Sequence, residues 1–549
     1  MNAKYSLSVV VLLSFALSAC GAMAATTLAP DVSGGHQTYK NAPEATSVPW
    51  PTSSALFEAR SPESSDSAVG AIAQFAQPAA TQSPWQAATT MPIPAPEDNY
   101  FRDYGVNPYV ETAADHLSTF ALDVDTASYT VTRQYLRDGL IPPMDSIRVE
   151  EFVNFFRQDY PLPPDAAFGI YADGAPTPFQ EDRSYLLRIG IQGYDVAEAQ
   201  RKPLVLTFVI DVSGSMEEQD RLGLVQQSLV LLIDRLRPTD SVAIVAFTDY
   251  AWTVMDPTPV YDREAFRQAI YSLYPMATTN VEKGLRQGYA LADSAYRSDA
   301  VNRVILCSDG VANVDSTSAG AILEYVHSYT EKGIALTTIG VGMGNYNDVL
   351  LEQLADNGNG NYAYVDTLEE ARRVLVEDMT STLQVIAMDA KVQMDFNPDT
   401  VIRYRLIGYE NRAVADQNFR NDSVDAGEIG AGHTVTALYA VQLKPGAVGR
   451  IATVQLRWQD PATRQVHEIN GNFNTWELKS SFEEASDRFQ LAATVVQFAD
   501  YLRGSPWAAG TSIRQLSYYA SRLAAAMPED PDVREFAELV AKSGELLGR

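Results

Sequence analysis

At 549 residues the chain is longer than one typical domain, so two or three folded units are expected. With 46% hydrophobic and 20% charged residues it has an ordinary globular balance and enough apolar material for sizeable cores. Its formal net charge of −28 repels phosphate backbones and argues against nucleic acid as a partner.

The chain opens as an export signal. Lys4 supplies a short basic region, and "LSVVVLLSFAL" (7–17) supplies an apolar core too short to span a bilayer comfortably. "LSAC" follows, Leu17 to Cys20, and it resembles the lipobox of bacterial lipoproteins. The resemblance implies cleavage before Cys20 and a lipid anchor on that cysteine, with more than one acyl chain, which suits stable anchoring. The alternative is an ordinary signal peptide cut near Ala22–Ala24, leaving a soluble protein. Gly21 does not resemble the aspartate that holds many lipoproteins at the inner membrane, which favours the outer one if the host has two membranes. The chain has 2 cysteines. With Cys20 lipidated, Cys307 has no intramolecular partner, and its apolar setting "RVILCSDG" reads as a buried core thiol.

Residues 21–95 are rich in Pro, Ala, Ser and Thr and lack sustained periodicity, as expected of a disordered tether. A region at 96–200 follows. Within it, 117–156 reads as a strand, a helix, a Pro-Pro turn and a second helix. "DVDTAS" (123–128) reads as a helix N-cap with a solvated acid.

From 201 to 387 the pattern becomes regular. "PLVLTFVI" (203–210) and "SVAIVAF" (241–247) are continuous apolar runs, as expected for strands covered on both faces. Between them Leu222, Val225, Leu229, Leu232 and Leu236 form one helical face that Pro238 stops. Helices near 263–273 and 280–297, a strand at 302–310, a helix at "GAILEYVHSYTEKG", a strand at 334–342, a short helix near 349–355, the strand "NYAYV" and a long closing helix "LEEARRVLVEDMTSTL" complete it. Such alternation implies right-handed crossovers and a mostly parallel sheet with helices on both faces, which binds ligands beyond the carboxyl ends of its strands. The final region, 388–549, is β-rich and then helical, with an apolar stripe at Phe489, Ala492, Val496 and Phe498 that reads as core.

The chemistry sits at "VIDVSGSMEE" (209–218). Asp211, Ser213 and Ser215 stand at i, i+2 and i+4 directly behind the first strand, and Asp309 ends the strand "RVILCSD". Both carboxylates then project at one edge of the sheet. Hard oxygen ligands around a carboxylate pair suit Mg²⁺, Mn²⁺ or Ca²⁺ rather than zinc. The histidines at 36, 116, 327, 433 and 467 form no metal-spaced cluster and offer no evident partner for a catalytic serine.

"DVSGSM" resembles the DxSxS element of the metal-ion-dependent adhesion site in von Willebrand factor type A domains. "ATTNV" (277–281) resembles the family's threonine loop and "SDGVANV" (308–314) its aspartate loop. The resemblance implies that Ser213, Ser215 and Thr279 coordinate a divalent cation directly, most simply Mg²⁺. Asp211 and Asp309 would act mainly through bound waters, and one position stays open for an acidic residue of a protein partner. Relatives often carry a Gly-Gly pair before this threonine where this chain has Met276-Ala277, so the register of Thr278 and Thr279 is open. The stretches 394–412 and 425–441, with "NPYVETAADHLSTFALDVDTASY" and "RVEEFVNFF", are similar to the flanking regions of exported bacterial type A lipoproteins. The expectation is a membrane-anchored envelope protein, not an enzyme, that binds a protein ligand through its metal site. The alternatives are a structural envelope scaffold with an incidental metal site, or an accessory subunit of a chelatase-like ATPase complex. Export argues against the last, and the chain has no GxxxxGK[ST] phosphate loop.

Overall fold

The computed structural model describes residues 99–548, apart from 123, 165, 180–183, 277, 311–315, 345 and 378–382. The signal, Cys20 and the tether lie outside the described residues.

The central α/β unit is a six-stranded sheet. Its order runs Tyr362–Val365, Ile334–Val341, Val301–Ser308, Leu204–Asp211, Ser241–Phe247, Ala251–Pro259. All neighbours are parallel except the last pair. Leu204–Asp211 comes first of the six in the chain yet lies between its first and third successors, so the strand order reverses at its side. That reversal opens a crevice at the carboxyl end of the strand, beside Asp211. Its side chains alternate. Leu206, Phe208 and Ile210 enter a core with helix Arg221–Ile233 and helix Arg263–Tyr271. Val209 enters the opposite core, with helices Val281–Ser294, Ser316–Thr330 and Asp348–Asn357. Burial on both faces explains the unbroken apolar run.

The antiparallel edge strand Ala251–Pro259 was not among the expected elements. Pro257 and Pro259 disguise it, and an edge is where a sheet tolerates proline. Of the long closing helix, Leu368–Arg372 is α-helical and Arg373–Glu377 a π-helical turn, and residues 378–382 lie outside the described residues.

The two flanks do not fold apart. Leu117–Ala121 pairs antiparallel with Val385–Phe396, from the far side of the central unit. Val110–Glu111 pairs with Val401–Ile407, and Tyr185–Gly193 pairs with Thr434–Leu443. Two sheets result, each mixing strands from both flanks, and they share one core. In Thr434–Leu443 the side chains of Val435, Ala437, Tyr439 and Val441 face that core. Leu438 and Ala440 face the other way, against the carboxyl-terminal helices Asp487–Leu502, Ile513–Ala526 and Pro531–Leu546. Phe489, Ala492, Val496 and Phe498 all lie in this second core.

Helix Ala127–Arg137 joins the flanks to the central unit. Thr130 Oγ1 donates to the Tyr364 carbonyl at 2.8 Å, and Arg133 pairs with Asp366 and Glu370. Here the cap expectation fails at Thr126 and the solvated-acid expectation at Asp125, while Asp123 lies outside the described residues. Thr126 precedes the helix without a side-chain cap, and Asp125 is buried, accepting from the Tyr362 amide at 3.0 Å. The acid is held by the neighbouring strand rather than by water because this helix packs over the edge of the sheet. A second link is Arg148, buried against Glu151 and Asp348, with Glu352 3.6 Å away.

Candidate metal-ion-dependent adhesion site

The chain turns sharply after Asp211 because that residue ends a fully buried strand. Asp211 has no exposed surface, and Ser213 and Asp309 are nearly as deep. The loop folds onto the carboxylate, with the Ser213 amide donating to Asp211 Oδ1 at 2.8 Å. A 3₁₀ turn, Gly214–Asp220, then leads into helix Arg221–Ile233. The Met276 amide bonds the Val212 carbonyl at 2.7 Å and so ties the threonine loop to this one.

The five expected residues converge. Thr279 Oγ1 donates to Asp211 Oδ2 at 3.2 Å, which decides the register in favour of Thr279 over the exposed Thr278. Ser213 Oγ and Ser215 Oγ stand 3.1 Å apart. Adjacent oxygens around an octahedral Mg²⁺ are spaced by about 3 Å, so this pair fits two neighbouring ligand positions. Asp309 lies near enough to act on Asp211. Burial first, and the Asp309 charge second, push the Asp211 carboxyl up to about 6. Two carboxylates held together out of water, lined by hydroxyls, are an arrangement that a hard cation relieves.

Two participants were not foreseen. Ser308 Oγ donates to Asp211 Oδ2 at 2.7 Å and meets the Gly310 carbonyl at 2.8 Å, tying the first carboxylate to the aspartate loop. Arg221 Nη1 donates to Asp309 Oδ2 at 2.6 Å. Its signal was available: an arginine four residues before Val225, on the apolar stripe of a core helix.

The rim of the crevice is exposed and aromatic. Tyr250 follows the second strand at this edge, is 52% exposed and stacks near Trp252 with ring centroids 5.0 Å apart. Tyr274, on the approach to Thr279, is 66% exposed. Glu217, Glu218 and Asp249 are exposed around the same loops.

Comparison with known proteins agrees with this architecture. The von Willebrand factor type A domain model matches residues 206–379, a von Willebrand factor model matches 95–188, and a model described as "Uncharacterized protein YfbK, C-terminal" matches 381–546. YfbK of Escherichia coli (strain K12) is 34% identical over 458 residues, which cover 78% of this chain and 78% of that protein. The chain belongs to the YfbK family of von Willebrand factor type A proteins. A second relative, the uncharacterized protein sll0103 of Synechocystis, is 25% identical over 60% of this chain and 77% of its own length. Among solved structures, a von Willebrand factor type A protein from Catenulispora acidiphila aligns with a TM-score of 0.41 and 15% identity, over 69% of this chain and 91% of that one. Across the YfbK-like region, the central type A domain is thus flanked on both sides by sequence belonging to the same relative.

Proposed function

We propose that this YfbK-family protein is a membrane-anchored lipoprotein of the bacterial cell envelope, lipidated at Cys20, and that its type A domain captures a protein partner through a divalent cation. The cation is Mg²⁺ in the simplest case, with Mn²⁺ and Ca²⁺ as substitutes. Ser213, Ser215 and Thr279 would hold it directly, and Asp211 and Asp309 would balance its charge. A partner carboxylate would take the open coordination position. The observation that carries this reading is the convergence of a fully buried Asp211 with Ser213, Ser215, Thr279 and Asp309 at the sheet's switch point. The cation lets a chain of net charge −28 bind an acidic side chain despite repulsion. The exposed Tyr250 and Tyr274 supply apolar area beside that contact, as interface anchors do.

Among the described residues no helix is long and apolar enough to cross a membrane.

Calorimetric titration of Mg²⁺ and Mn²⁺ into wild type, Asp211→Ala and Asp309→Ala tests the site. Wild type should bind and both variants should lose at least about tenfold in affinity. Wild-type silence, or variants that bind as wild type does, would refute it. Capture of an envelope protein in Mg²⁺ and not in chelator supports the binding role. Normal metal affinity with no metal-dependent capture would favour the scaffold reading instead. Mass spectrometry of the membrane fraction should show an acylated amino-terminal Cys20.

A further inference from the structure

Arg221 opens its helix directly beneath the metal-site loops, with 3% of its side chain exposed. Its guanidinium spans three loops at once. Nη1 donates to Asp309 Oδ2 at 2.6 Å and to the Ser215 carbonyl at 3.1 Å. Nη2 donates to Glu218 Oε2 at 3.0 Å and to the Met343 carbonyl. The backbone makes room for it. Gly342 has φ +71°, and a Cβ there would lie 2.1 Å from Arg221 Nε. A left-handed glycine placed against a buried arginine marks a site shaped to hold that side chain.

We propose that Arg221 is a resident cation of the adhesion site, which occupies one oxygen of Asp309 and holds down the affinity for a divalent metal on its own. The inference rests on the metal reading given above. Two buried carboxylates alone would neutralise a divalent cation and hold it tightly. With Arg221 against Asp309 the buried part of the site carries one net negative charge instead of two, and the third carboxylate, Glu218, is exposed to solvent that screens it. The bound metal is then left with residual positive charge at its open position, and an incoming carboxylate completes the neutralisation. Metal and acidic partner therefore favour one another, and metal alone binds weakly. The role is one of positioning and charge: Arg221 acts through Asp309 and touches no ligand of the partner.

A purely structural role makes the opposite prediction. If Arg221 only fastens the three loops, its loss loosens the site and weakens metal binding. If its charge dominates, its loss tightens metal binding, because a unit charge a few ångströms from a ligand carboxylate shifts affinity by at least about tenfold at protein-like dielectric. The direction of the change separates the two.

The measurement is calorimetric titration of Mn²⁺ alone into the full chain and its variants. Arg221→Gln should bind Mn²⁺ at least about tenfold more tightly than wild type. Equal or weaker binding by Arg221→Gln, with wild type binding normally, overturns this inference and leaves the metal reading intact. Absence of Mn²⁺ binding in wild type and Arg221→Gln alike overturns both. Binding by Arg221→Gln where wild type binds none supports the inference most strongly. Should Arg221→Gln fail to fold by circular dichroism, Arg221→Met, which also removes the charge and keeps an apolar stem, replaces it. Mn²⁺ binding should again tighten at least about tenfold. Unchanged or weaker binding by Arg221→Met overturns the inference.

Discussion

Strand Leu204–Asp211 finds both of its neighbours within its own domain, whereas Leu117–Ala121 reaches across that whole domain to pair with Val385–Phe396. The type A sheet is parallel apart from its edge strand Ala251–Pro259, and its inner strands are buried on both faces and joined through helices. The flanking sheets are antiparallel and interleaved, each completed by strands from both sides of the insertion. One part of the molecule is therefore self-sufficient in sequence, and the other exists only when the chain ends are brought together. The type A domain itself does that, holding the two flanks at its borders. Loop-closure cost grows only slowly with length, so a compact insertion between paired strands is tolerated.

The sharpest way to break this comparison is to cut the chain. Residues 201–387 expressed alone should give a helix-and-strand spectrum and a cooperative melt. Residues 96–200 alone should show neither, because only Phe168–Pro176 and Tyr185–Gly193 pair with each other there, while Val110–Glu111 and Leu117–Ala121 lose their partners and the helices lose the core they pack on. Cooperative folding of 96–200 would contradict the interleaved pairing.

A single residue tests the seam between the parts. Arg148 is buried between Glu151 of its own helix and Asp348 of the type A domain. Arg148→Ala leaves buried carboxylates without their cation and should cost roughly 3–5 kcal/mol, read by urea denaturation. A loss below about 1 kcal/mol would mean that the seam is held by apolar packing alone.

The metal site offers a test whose sign is the informative part. The Asp211 carboxyl is raised to about 6 in the folded chain by burial and by Asp309. Its charged form is thus disfavoured by folding, and the stability that the neutral form retains is lost as pH rises from about 4 through about 6. In chelator at pH 8, Asp211→Asn should be more stable than wild type by up to about 3 kcal/mol. The gap should close below pH 4, where both states of wild type are protonated. Saturating Mg²⁺ should reverse the order, because only wild type gains from the cation. A variant less stable than wild type in chelator would show that the bonds from Ser213, Thr279 and Ser308 outweigh the desolvation.

The smallest effect is expected within the type A core. Cys307 is buried, and burial pushes its thiol up to about 12. Native protein should react slowly with a maleimide and unfolded protein fully, and Cys307→Ala should cost roughly 1–2 kcal/mol. Fast native labelling would indicate opening of the central strand Val301–Ser308.

Much of this domain was legible because its signals are local. Continuous apolar runs marked the parallel strands, and the tight spacing of Asp211, Ser213 and Ser215 marked the site within five residues. Asp309 was legible because an acid at the carboxyl end of a buried strand lies at the sheet edge; the strand itself closes one residue earlier, at Ser308. What escaped is equally specific. Ala251–Pro259 was hidden by its prolines, and Phe168–Pro176 and Tyr185–Gly193 were not expected at all. The burial of Asp125 escaped because nothing in "DVDTAS" shows that a strand covers it.

The sequence by itself determined that strands and helices alternate from 201 to 387 and that oxygen ligands gather behind the first strand, since each follows from periodicity and spacing over a few residues. Only the tertiary structure decided which flanking strands pair, that Thr279 rather than Thr278 reaches Asp211, and that Arg221 lies against Asp309. Those are contacts between residues far apart in the chain. Their energies depend on burial and approach distance, and neither quantity is defined until the whole chain has packed.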